Sequence, residues 1–164
     1  MSRRVFFSFH YTGDVNRIGI VRNSWVTKTT RSDAGFWDAA EWEQVQKDTD
    51  LAIKRWINKQ LEYTSVTVVL IGEKTSQRPW VNYEIEKSIE RGNGLLGVYI
   101  HNINGLGKGT SSKGKNPFDN HSIKCTDGNY YNASRIYKTY DWVSDDGYNN
   151  LGAWIEEAAK IAGK

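Results

Sequence analysis

Apolar positions along this chain alternate between a strand-like and a helix-like period. Val5-Phe6-Phe7-Ser8-Phe9 is a short β-type run at the start, and Val66-Thr67-Val68-Val69-Leu70-Ile71-Gly72 is the strongest strand pattern in the sequence. Leu95-Leu96-Gly97-Val98-Tyr99-Ile100 is another. Nearly unbroken apolar runs of this length, rich in β-branched residues, suit strands buried on both faces of a parallel sheet. Between them the spacing turns helical. Ile18, Val21, Arg22 and Trp25 predict one helix, and Ile53, Trp56, Ile57 and Leu61 a second that opens near Asp48 and Asp50, where carboxylates favour the helix dipole. Pro79 is placed for the first position of a third helix, in which Val81, Ile85 and Ile89 recur every four residues until Gly92 stops it. Leu151, Trp154, Ile155, Ala158 and Ile161 form the stripe of a closing helix.

Strands alternating with helices predict an α/β fold, a central and mostly parallel sheet with helices on both faces. Gly35-Phe36-Trp37-Asp38 is a weak candidate for a second strand, and Tyr137 to Trp142 for a short last one. The Gly-, Lys- and Ser-rich stretch from Gly105 to Asn116 predicts a mobile surface loop. No internal repeat or linker appears, so residues 1–164 are expected to form one domain. Ligands of such sheets bind outside the carboxyl ends of the strands, which directs attention to His10 to Asp14, Phe36 to Asp38 and Thr75 to Glu84.

Composition narrows the function classes. Lys and Arg are scattered among almost as many acids, for a net charge of +3, which lacks the concentrated basic stripe of a nucleic-acid binder. A single cysteine, Cys125, excludes an internal disulfide and a thiolate metal cluster. No apolar run approaches the roughly 20 residues that span a membrane, and the run after Arg3-Arg4 is too short for a signal segment, so a cytoplasmic protein is expected. Seven Trp, nine Tyr and five Phe exceed what a core of this size needs, which leaves aromatic rings for a pocket or an interface.

Most motif matches fail on context. Gly109-Thr110-Ser111-Ser112-Lys113-Gly114-Lys115 begins like a P-loop, but Asn116 and Pro117 follow where a hydroxyl and a helix would be needed. His10, His101 and His121 lack metal-ligand spacing, and no metal site is expected. Asp14 and Asp38 are too few for a magnesium-dependent phospho-acceptor. Glu84 and Glu86 both lie about 100° from the centre of the Val81–Ile85–Ile89 stripe, so periodicity does not choose between them. Their neighbours differ: Trp80 lies one turn before Glu84, and the small Ser88 one turn after would leave open space beside the ring.

Two stretches resemble TIR domains: Val5-Phe6-Phe7-Ser8-Phe9-His10-Tyr11 followed by Asp14, and Thr75-Ser76 leading to Pro79-Trp80-Val81-Asn82-Tyr83-Glu84-Ile85. With Val21-Arg22-Asn23-Ser24-Trp25-Val26, Asn116-Pro117-Phe118 and Tyr140-Asp141-Trp142-Val143-Ser144-Asp145-Asp146-Gly147-Tyr148, the chain resembles the TIR-like proteins of the bacterial Thoeris anti-phage system through most of its length. The resemblance implies a flavodoxin-like, three-layer fold and an enzyme that cleaves the nicotinamide–ribose bond of NAD⁺ to make a cyclic ADP-ribose-type signal, without a cofactor. It implies Glu84 as the catalytic residue and Ser8, Phe9, His10, Trp37, Asp38, Thr75, Ser76 and Trp80 as substrate-binding residues. It also implies a phage component as trigger, a separate effector reached through the nucleotide, and activity only when triggered. The alternative from another class is a non-catalytic TIR-like interaction module that works by self-association.

Overall fold

The structure is a computed structural model and describes residues 3–26, 44–107 and 109–164. Strands β1 (Val5–Phe9), β2 (Val66–Ile71) and β3 (Gly94–Tyr99) are buried along their whole length. They pair in parallel in the order β1-β2-β3, and a short strand β6 (Thr139–Asp141) extends the sheet beyond β3. Burial on both faces is why the apolar runs do not alternate with polar residues. The candidate strand Gly35–Asp38 lies outside the described residues.

Helices α1 (Tyr11–Val26) and α4 (Gly147–Ile161) cover one face, and α2 (Asp50–Leu61) and α3 (Pro79–Glu90) the other. Val68, Leu70, Leu96 and Val98 meet Ile18 and Val21 of α1 and Leu151, Ile155 and Ala159 of α4. Val69, Ile71 and Leu95 turn the opposite way and meet Val81 and Ile85 of α3. Helix α2 is capped by Thr49, whose hydroxyl accepts from the Ala52 amide at 3.2 Å, and it lies beside α3, where Tyr83 Oη donates to Asn58 Oδ1 at 3.1 Å. The result is the three-layer, flavodoxin-like α/β fold expected of the pattern.

Two regions differ from the sequence reading. Between Asn116 and Tyr137 the chain forms a small antiparallel hairpin, β4 (Ser122–Lys124) with β5 (Tyr130–Asn132), flanked by single helical turns at Pro117–Asn120 and Ala133–Arg135. Three-residue strands are too short to show a period, so this layer left no signal. Phe118 and Ala133 from the flanking turns are fully buried against the α3 side of the sheet.

The described residues between Gly105 and Asn116 are irregular, as expected, but they are tied to the body rather than projecting from it. Arg17 donates to the carbonyls of Ile103 and Gly109, both at 3.0 Å, and the Ser111 amide donates to the His101 carbonyl at 2.9 Å. A Cβ at Gly114 would overlap the backbone of Gly72 at the end of β2. Glycine here permits close backbone approach to the carboxyl edge of the sheet.

The same closeness occurs at the opposite edge. A Cβ on Gly94 would come within 2.6 Å of the Ala158 carbonyl oxygen, so α4 rests directly on the start of β3. Gly94→Ala is expected to lower stability by about 1–3 kcal/mol, as other forced insertions into packed sites do. Urea unfolding measures it, and an unchanged midpoint would contradict this packing.

Candidate active site

Helix α3 starts at Pro79 and buries more than its apolar stripe. Glu84 and Ser88 are both 0% exposed, alongside Val81 and Ile85. Ser88 Oγ donates to the Glu84 carbonyl at 2.8 Å and stands 2.7 Å from Thr67 Oγ1 of β2. Since Ser88 has one proton to give, Thr67 donates to it. The small residue thus draws the helix onto the sheet, a use different from the open space beside Trp80 that its size suggested.

One turn earlier, the Glu84 side chain reaches β1, where Ser8 Oγ donates to Glu84 Oε2. Glu84 Oε1 is equally buried and has no hydrogen-bond partner among the described residues. Glu86, which periodicity could not separate from Glu84, is exposed. Burial holds the Glu84 carboxyl well above the usual carboxylate range, and the Ser8 hydrogen bond opposes that shift without cancelling it. An orphan acceptor on a fully buried acid is costly to a fold unless it serves something else.

The remaining expected site residues divide by role. Ser8 is fully buried and its hydroxyl is engaged by the Glu84 carboxylate. Phe9 is 2% exposed and packs in the core. Thr75 Oγ1 accepts from the Gly72 amide at 2.8 Å and closes the turn after β2. The Ser76 carbonyl accepts from Asn82 Nδ2 and Asn120 Nδ2, each at 3.0 Å, which joins that turn to α3 and to the hairpin layer. Trp80 is half-buried against the core and meets Tyr83 edge-on, at 5.8 Å and 83°. Trp37 and Asp38 lie outside the described residues.

His10 opens onto a cleft of about 250 Å³ at the carboxyl edge, between the start of α1 and the turn after β2. Asp14, Arg17, Lys74, Arg78 and Ser111 share it; Asp14 and Arg78 fall in stretches that the sequence pointed to, and Arg17 and Lys74 do not. Lys74 and Arg78 flank the turn after β2, whereas Arg17 comes from α1, and the parallel topology brings the two segments together. Asp14 sits at a break in α1 (φ −125°, ψ 15°), and its carboxyl packs where a Cβ at position 72 would stand, so a side chain there would displace it. Burial pushes the Asp14 carboxyl up, with Arg17 opposing. The His10 imidazole is pushed down by burial and then by Arg78 and Lys74. Among the described residues, no three His, Cys, Asp or Glu side chains gather as metal ligands would.

A parallel sheet clad on both faces by helices is the arrangement of a TIR-like domain. Residues 6–105 match the family model of the Thoeris protein ThsB, TIR-like domain, and the chain belongs to that family. It is 41% identical to "Putative cyclic ADP-D-ribose synthase ThsB1" of Bacillus cereus (strain MSX-D12), across 94% of this chain and 100% of the relative. That alignment runs over 191 positions, more than the 164 residues of this chain, so the relative carries residues that this chain lacks.

The buried carboxyl makes stability depend on pH with a definite sign. Below the ordinary value of 4.5 both folded and unfolded chains hold the Glu84 proton. Above it the unfolded chain releases the proton and the folded chain resists, so Glu84 makes the fold progressively less stable as pH rises toward its folded value. Glu84→Gln removes that slope. Urea unfolding of the two proteins from pH 4.5 upward should show the difference moving in favour of Glu84→Gln; parallel pH profiles would count against the buried acid.

Proposed function

We propose that this chain cleaves the nicotinamide–ribose bond of NAD⁺ and closes the remaining ADP-ribose into a cyclic signal in anti-phage defence. The observation that carries this reading is Glu84: fully buried, fixed by Ser8 through one oxygen, and holding a second oxygen with no hydrogen-bond partner among the described residues. The relative's name, a cyclic ADP-D-ribose synthase, supports the same chemistry.

The reaction suits a lone carboxylate. Glycosidases generally use two carboxyl groups because the leaving oxygen needs a proton. Here the bond between ribose C1′ and the pyridinium nitrogen breaks with its electron pair going to nitrogen, and nicotinamide departs neutral. What remains is to stabilise positive charge on the ribose, which a fixed anion in a dry site does well. Glu84 Oε1 would accept from a ribose hydroxyl, and the substrate's cationic ring would favour the ionised form that the empty site disfavours. A hydroxyl of the substrate then forms the new bond to C1′ and gives up its proton, so NAD⁺ yields the cyclic nucleotide, nicotinamide and a proton. Exclusion of water favours this closure over hydrolysis.

On this reading NAD⁺ is a substrate and no cofactor or metal takes part. A phage component supplies the trigger, and a separate effector receives the nucleotide in the cytoplasm. No helix among the described residues is long and apolar enough to cross a membrane. The rival reading, a non-catalytic interaction module, draws on the complete enclosure of Glu84, since a module needs no substrate path.

Nucleotide profiling by mass spectrometry, in phage-infected cells expressing each protein, separates the two. The wild type should accumulate a cyclic ADP-ribose-type product, and folded Glu84→Gln should make about 10²–10³-fold less, the usual effect of losing one preorganised electrostatic group. Equal product from both proteins would defeat the catalytic assignment. Ser8→Ala should reduce product by about tenfold, because the carboxylate keeps its place but loses the hydrogen bond that orients it.

A further inference from the structure

The cleft beside His10 holds more hydrogen-bond donors than the protein satisfies. Arg78 Nε is buried without a hydrogen-bond partner among the described residues, and so is Ser111 Oγ. Both line the cleft, with Lys74 at its rim. A guanidinium only donates, so an orphan Arg78 N–H calls for an acceptor. Arg17 is different, because its nitrogens are already spent on Ile103 O, Gly109 O and Asp14 Oδ1. The acids facing the cleft offer Arg78 little: the Asp14 carboxyl is paired with Arg17, and Glu73 is exposed.

We infer that this cleft is an anion subsite that receives the diphosphate bridge of the dinucleotide substrate, with Arg78, Lys74 and Ser111 as its donors. The inference rests on the NAD⁺ reading above. At about 250 Å³ the cleft is smaller than the roughly 300–1,000 Å³ of sites that enclose a whole small molecule, so it fits one part of a larger ligand. Its position is right for that part. Arg78 precedes Glu84 by six residues, about 9 Å along the axis of α3, and His10 follows Ser8 by two in the chain. A dinucleotide with its nicotinamide ribose at Glu84 would carry its next segment, the phosphates, toward this cleft. Burial is the main reason the His10 imidazole is pushed down, and Arg78 and Lys74 add to it from the positive side of the same cleft.

Inorganic diphosphate is the direct probe, because it needs no turnover. Its titration into the full chain, followed by the His10 ring resonances and by thermal shift, should raise the His10 pKa and the Tm with one saturating constant. Arg78→Gln should weaken that constant about tenfold or more, as loss of a charge-assisted hydrogen bond does. Lys74→Gln, at an exposed position where folding is not at stake, should weaken it as well. A His10 signal that ignores millimolar diphosphate, or variants that titrate like the wild type, would overturn the anion site.

The substrate assignment has its own arm in the Glu84→Gln background. There Arg78→Gln should weaken NAD⁺ and leave nicotinamide riboside, which lacks the diphosphate, unchanged. Equal losses for both ligands, or for neither, would overturn the subsite role. If Glu84→Gln instead turns over NAD⁺ normally, the catalytic reading fails while the diphosphate titration still decides the anion site.

Discussion

The hydrogen bond from Ser8 to Glu84 joins the first strand to the third helix, and the carboxyl edge of the molecule is arranged around it. It exists because β1 pairs in parallel with β2 in a register that opposes Ser8 to Val69, on the sheet face covered by α3. The Thr67–Ser88–Glu84 chain of hydrogen bonds then seats α3 one turn further along. Together these contacts fix both ends of the burying turn, so Glu84 cannot relieve its desolvation by swinging to solvent. The fold holds the acid in place, and one of its oxygens is unmatched among the described residues.

How much of this the sequence disclosed depends on the length scale of each feature. Strands β1 to β3 and the four helices were legible because each buries a long face and so writes a period into the chain. The hairpin of Ser122–Lys124 and Tyr130–Asn132 was not, since three residues cannot display an alternation. Periodicity did not separate Glu84 from Glu86, and Trp80, Ser88 and the TIR resemblance favoured Glu84; its burial is decided by Ser88 and by Ser8, which is 76 residues away. Ser8 was expected as a substrate-binding residue, and its hydroxyl is engaged by the Glu84 carboxylate.

The cleft shows the same limit more sharply. Arg17, Arg78 and Ser111 belong to a helix, a turn and a glycine-rich loop, and each is unremarkable in its own segment. The close approach of Gly114 to Gly72, the bonds from Arg17 to Ile103 and Gly109, and the Ser111 amide on the His101 carbonyl bring the loop over the sheet edge. Composition alone made that loop look mobile, because glycine serves mobility and tight backbone contact equally well. The deciding quantity was the partner, and the partner was remote in sequence.

Burial of Glu84 also bears on selectivity. In an empty site desolvation favours the protonated, neutral acid. A neutral ligand would gain little from it, whereas a pyridinium ring favours ionisation at the moment of binding, so part of the binding energy is reserved for a cationic partner. Under the NAD⁺ reading, the oxidised dinucleotide is therefore preferred over its reduced form, whose ring carries no charge and whose ribose bond has no comparable leaving group. A solvated glutamate would make that distinction weakly, because water already stabilises its charge. Enclosure, which looks at first like an argument against catalysis, is what lets a single carboxylate respond to the charge on the bond it is to break.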